Sequence, residues 1–162
     1  YKIFKLKSPF IEKSIIESCK IKKTIVELDE KEKNLRKILN FGHTFAHAYE
    51  SALNYSSKLN HGEAVLLGIF SAINFSLKAQ LLSKLNYLKI KNHFIKYKLP
   101  NKISNFFSKK DTKKLVFFMM KDKKNTTNLI NLILIKKIGK IELNYNYKEK
   151  YINNFLKKEL NY

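Results

Sequence analysis

Tryptophan is absent from the 162-residue chain, and cysteine, proline and glycine are scarce, with one, two and four residues. A single thiol, Cys19, excludes an internal disulfide and a zinc site built from several thiolates. Its expected place is a helix face, as a small buried apolar residue. Acidic residues are also few, 13 against 33 basic ones, which leaves a net charge of +20 and a pI near 9.9. A field of that sign draws in anions of every kind, from nucleic acid and acidic membrane surfaces to phosphorylated or carboxylated metabolites. The lysines are scattered, however, and accompany heavy use of asparagine, isoleucine and tyrosine. That is the mark of a general compositional bias rather than of a basic stripe, and no nucleic-acid or membrane partner is expected. No apolar run approaches the ~20 residues needed to span a bilayer. Tyr1 is followed at once by lysine, with no apolar h-region behind it, so the expected location is cytoplasmic. An opening tyrosine in place of methionine points to a segment of a longer protein.

With 44% hydrophobic residues spread along the chain, a globular core is expected. The length is that of one ordinary domain, 1–162, with no repeat, linker or internal boundary. Ser8 and Pro9 make a good helix start, and Ile11, Ile15, Ile16, Cys19, Ile25 and Val26 recur at helical spacing, which predicts a helix over 9–28. The polar stretch 29–34 breaks it, with Asn34 suited to a left-handed turn. A second helix is predicted over 35–53. Gly42 lies inside it at a cost of about 1 kcal/mol against alanine, which implies that something approaches that backbone closely. A long helix over 61–83, apolar on more than one face, is expected to be buried on several sides. Further helices are predicted over 86–99, stopped by Pro100, over 111–121, capped by Asp111, and over 148–160. Leu129 to Ile135 is the clear strand candidate, and past Gly139 the residues Ile141 to Asn144 form a short return strand. The expected fold class is mainly α, with a short strand pair near 129–144.

Three of the four histidines fall in two adjacent stretches, LNFGHTFAHAYE at 39–50 and His61-Gly62-Glu63-Ala64. His93, the fourth, reads as a surface residue among Lys91, Lys96 and Lys98. His43 and His47 are one helical turn apart and project from one face. His61 can fold back over that face if the two helices pair. Neutral imidazole is a common zinc ligand, and three such groups, or two and a carboxylate, make an open catalytic site. Spacing alone therefore favours His43 and His47 as a metal pair, with His61 as the third ligand; packing or surface histidines are the competing reading. Arg36 and Asn40 precede His43 by about two turns and one turn. An arginine, an amide and imidazoles together suit an oxygen-rich anion.

These residues carry a resemblance. Arg36-x-x-Leu39-Asn40-Phe41-Gly42-His43-Thr44-Phe45-x-His47-Ala48-x-Glu50, followed by His61-Gly62-Glu63-Ala64-Val65, resembles the signature of 3-dehydroquinate synthase. Ser18-Cys19-Lys20-Ile21-Lys22, Asp29-Glu30-x-Glu32-x-x-Leu35-Arg36 and Asp122-Lys123-Lys124 extend the likeness over nearly the whole chain. Three positions that are usually glycine in that family hold Asn34, Ala46 and Asn128 here. The asparagines are compatible with a left-handed backbone, and Ala46 adds one methyl beside the site.

The resemblance implies a C-terminal, mainly helical metal and substrate domain of a dehydroquinate synthase-like fold. It reallocates the histidines: the zinc (or cobalt) ligands of this half fall on His43 and His61, and His47 goes to the substrate phosphate. Lys22, Arg36, Asn40 and one of Lys123 or Lys124 correspond to substrate-binding positions, and Glu32 to a further polar residue of the site. The implied enzyme is an NAD- and metal-dependent carbon–oxygen lyase of the shikimate pathway, which leads to the aromatic amino acids. It converts 3-deoxy-arabino-heptulosonate 7-phosphate to 3-dehydroquinate and phosphate, commonly as a homodimer. The family's third ligand, a glutamate, and its NAD domain would lie upstream of Tyr1, so the segment alone is expected to be inactive. Another sugar-phosphate cyclase of the same superfamily, or an inactive truncated remnant, are the alternatives.

Overall fold

The computed structural model describes residues 2–121 and 128–161. Two compact units are present, Tyr1–Leu39 and Asn40–Tyr162. The first is built on helix α1, Phe10–Leu28, close to its predicted range. Ser8 makes no capping hydrogen bond, and Pro9 is the residue that precedes the first turn. None of α1 is buried, and Cys19 is exposed rather than inside a core. A helix with no second layer in its own unit has nothing against which to bury a face.

Asp29 organises the turn after α1. Its carboxylate accepts from the amides of Lys33 at 2.9 Å, Asn34 at 2.8 Å and Arg36 at 3.0 Å. These bonds hold its carboxyl below the usual aspartate range, the Arg36 amide contributing most and the Asn34 amide next. The left-handed residue of this turn is Glu32, at φ +52°, and not Asn34. The carboxylate cage fixes the amides that follow, so the reversal falls two residues earlier than turn propensity places it.

The helix expected over 35–53 is two elements. Leu35–Asn40 is a 3-10 turn, and helix α2 runs His43–Ala52. Gly42 between them is left-handed at φ +82°. A Cβ there would lie 2.5 Å from the backbone nitrogen of Ile69, so the close approach expected at this glycine is present. Helix α3, His61–Lys78, crosses α2 at that point, and a Cβ on Gly68 would sit 2.3 Å from the Gly42 carbonyl oxygen and 3.1 Å from Ala46 Cβ. Apolar periodicity runs through the break because both halves keep one face inward. Nine residues of α3 are buried, from Ala64 to Ser76, as its many-sided apolar pattern requires.

Helix α3 stops short of the predicted end, and α4, Lys84–Lys96, begins early because Ser83 Oγ caps it by accepting from the Asn86 amide. Helix α5 is Thr112–Met120. Asp111 does not cap it; its carboxylate instead accepts from Ser108 N and Oγ at 2.8 and 2.9 Å. Strands β1, Leu129–Lys137, and β2, Lys140–Lys148, form an antiparallel hairpin turned at Gly139. The return strand is longer than expected because Tyr145 and Tyr147 continue the pairing, opposite Leu132 and Ile130. Helix α6, Glu149–Glu159, ends the described chain and buries Ile152, Phe155 and Leu156 at i, i+3 and i+4.

The core of the second unit joins Phe45 and Tyr49 of α2, Leu67 and Phe75 of α3, Leu115 and Met119 of α5, alternate β1 residues Ile130, Leu132 and Leu134, and the inner face of α6. A smaller cluster holds Phe70, Ile73, Leu82, Phe94 and Ile135. Tyr49 is fully buried with its hydroxyl 2.7 Å from Ser71 Oγ, which pins α2 to α3 with a satisfied polar contact. The fold is mainly α with one strand pair. Among the described residues no helix is long and apolar enough to cross a membrane.

Candidate functional site

The left-handed Gly42 lets α2 start at His43, and the next turn brings His47 onto the same face, with ring centroids 5.5 Å apart. His61 is the first residue of α3. Its turn is fixed by a capping box in which Glu63 Oε2 accepts from the Asn60 amide at 3.1 Å. The acidic residue of His61-Gly62-Glu63 is therefore committed to the helix end. Because α3 crosses α2 tightly at Gly42, Ala46 and Gly68, the His61 ring lies 6.2 Å from that of His43. His61 is largely exposed, His43 half-buried and His47 exposed.

Glu50, two turns beyond His43 on α2, has its side chain only 11% exposed and lies with Oε1 2.9 Å from His61 Nδ1. An ionised carboxylate only accepts, so Nδ1–H donates and Nε2 is left as the ring's lone-pair nitrogen. This is the arrangement of a metal-binding histidine held by an outer carboxylate. The motif contains Glu50, but spacing gave it no role. The available signal was its place seven residues after His43 and three after His47, on one helix face.

Asn40 ends the 3-10 turn that precedes Gly42. In the first unit, Lys22 is exposed on α1, Glu32 holds its positive φ, and Arg36 Nη1 donates to the Glu30 carbonyl at 2.7 Å. Lys123 and Lys124 lie outside the described residues.

Two imidazoles sharing one ion at the usual metal–nitrogen distance have ring centroids roughly 5–6 Å apart. Both histidine pairs are of that order, at 5.5 and 6.2 Å, so distance alone does not choose between them. The held Nδ1 of His61 is the distinguishing feature. Among the described residues no group of three or more His, Cys, Asp or Glu side chains is disposed to hold an ion. The donor set fits part of a metal site, short of the three protein ligands of an open catalytic centre.

The family described as 3-dehydroquinate synthase C-terminal matches residues 1–125. A 3-dehydroquinate synthase of Pelagibacter ubique (strain HTCC1062) is 54% identical over 98% of this chain and 43% of its own length. One of Endomicrobium trichonymphae is 40% identical over 88% of this chain and 38% of its own. The chain thus spans less than half the length of these relatives. A crystal structure of 2-deoxy-scyllo-inosose synthase complexed with carbaglucose-6-phosphate, NAD+ and Co2+ shares the fold, with a TM-score of 0.73 at 20% identity over 94% of this chain and 42% of that one.

Proposed function

Because the chain belongs to the 3-dehydroquinate synthase C-terminal family, we propose that residues 1–162 act as the metal- and substrate-binding domain of a 3-dehydroquinate synthase. The whole protein would convert 3-deoxy-arabino-heptulosonate 7-phosphate to 3-dehydroquinate and phosphate in the shikimate pathway, as a cytoplasmic homodimeric lyase. NAD+ would be held by another part of that protein. The observation that carries the reading is the facing pair His43 and His61, with Glu50 holding the outer nitrogen of His61.

His43 and His61 are the ligands in this reading, and Zn2+ or Co2+ bound there would polarise a substrate hydroxyl for oxidation by NAD+. Glu50 keeps the His61 ring turned inward and in one tautomer. His47 and Asn40 bind the substrate phosphate, an imidazole and an amide being suitable donors to its oxygens. Lys22, Arg36 and one of Lys123 or Lys124 are assigned to the substrate's anionic groups, and Glu32 to its polar surroundings, on the motif resemblance alone. A carboxylate and a phosphate on one small molecule need several cations, and these residues supply them. With an incomplete ligand set the segment by itself is proposed to be inactive.

The test is a phosphate-release assay on the full-length protein, with NAD+ and the heptulosonate phosphate. Formation of 3-dehydroquinate with release of phosphate is the expected outcome. Release only from a different sugar phosphate would assign another cyclase activity, and release from none would mark an inactive remnant.

A further inference from the structure

A cavity of about 450 Å³ opens between the second half of α3, α4, residues 101–104 and the end of α6. That volume is in the range of small-molecule sites. It is separate from the histidines. The first α3 residue on its wall, Phe70, is nine residues past His61, about 13 Å along the helix, and Lys78 is about 25 Å along it. Among the described residues, none of those proposed for the metal or the substrate lines it.

Its chemistry has three parts. Lys78, Lys91 and Lys102 supply positive charge, and the Lys91 ammonium sits 5.8 Å from the centre of the Tyr87 ring. Glu159, half-buried, supplies one negative charge and accepts a hydrogen bond from Asn74 Nδ2, while Asn74 Oδ1 is buried with no hydrogen-bond partner among the described residues. Phe70, Leu77, Tyr87, Ile95 and Ile103 supply an apolar wall. Burial pushes the Glu159 carboxyl up, opposed by the Asn74 bond and by the charges of Lys78 and Lys91. Burial likewise pushes the Lys78 ammonium down. Charges of both signs thus line one cavity, with Glu159 and Lys91 half-buried and Lys78 and Lys102 exposed.

A purely anionic ligand would satisfy the lysines and meet Glu159 with repulsion. A purely cationic one would do the reverse. A small zwitterion with an apolar body answers all three features. We propose that this cavity is a second ligand site that takes a free α-amino acid with an apolar side chain. The ligand's ammonium would sit on Glu159, its carboxylate on Lys91 and Lys78, and its side chain against Phe70, Leu77 and Ile103.

The test is calorimetric titration of the full-length protein with L-phenylalanine and L-leucine, set beside 3-phenylpropionate and phenethylamine, which each lack one charge. Saturable binding of at least one amino acid is expected, with both analogues weaker by about tenfold or more, the effect of losing one charge-assisted contact. Glu159→Gln and, as a control that spares the Asn74 contact, Lys91→Met should each weaken that binding about tenfold. The metal content and the phosphate release of the Lys91→Met protein should be unchanged. No saturable binding up to about 10 mM, analogues that bind as well as the amino acids, or a Lys91→Met protein that binds like the parent would each overturn the proposal.

Discussion

A histidine that gives one ring nitrogen to a metal is usually held at the other, and Glu50 is placed to hold His61 in this way. Glu50→Gln keeps the shape and removes the charge. In the full-length protein it is expected to weaken Co2+ binding by about 10- to 100-fold, read from the visible absorption of the bound ion, with helical circular dichroism unchanged. An unaltered affinity would separate Glu50 from the metal. The histidines themselves are legible in the sequence because few residue types do this chemistry and two motifs frame them. Glu50 is not legible in the same way, since its partner is on another helix and only the crossing of α2 and α3 brings them together. Cys19 misleads for a related reason: helical spacing marks one face of α1 as apolar, but spacing does not say whether a second layer covers it.

At the scale of elements, the crossing of α2 over α3 sets the site, and glycine makes it possible. Gly68→Ala would press a methyl into the Gly42 carbonyl, and overpacking of this kind costs about 1–3 kcal/mol or more. Gly62, at the first turn of the same helix, has no atom of the described residues within 4 Å of where a Cβ would lie, so Gly62→Ala should be neutral or gain up to about 1 kcal/mol from helix propensity. Denaturant midpoints of the two variants give the comparison, and equal losses would contradict the packing account. The break at Gly42 was not readable from periodicity, although the glycine itself pointed to a close approach. Turn chemistry was read less well: propensity favours Asn34 as the turn residue and Asp111 as the cap of α5, whereas the Asp29 carboxylate gathers the amides that follow it and the Asp111 carboxylate accepts from Ser108 instead. The Asp29 cage has a pH signature. Its folded-state pKa is lowered from 3.8, so its contribution is complete above that value and is lost as pH falls through the folded-state pKa. The amide resonances of Lys33, Asn34 and Arg36 should shift together with a midpoint below 3.8, and a midpoint at or above it would remove the cage.

For the whole molecule, the fold class was readable because long apolar helices and one aliphatic strand dominate the sequence. That the ligand set is partial was an expectation of the motif resemblance and not of spacing, since two imidazoles make only part of a metal centre. The charge of +20 belongs to this scale as well, as scattered lysines that reflect composition and set up a field drawing in anions of every kind. The central claim is that His43 pairs with His61 on the metal and leaves His47 to the substrate phosphate. Cobalt titration of the full-length protein carrying His43→Ala, His61→Ala or His47→Ala tests it most directly. The account predicts loss of tight Co2+ binding in the first two and its retention in the third, with only substrate affinity reduced. Loss of the ion in His47→Ala together with its retention in His61→Ala would contradict the account and restore the helical pair His43 and His47.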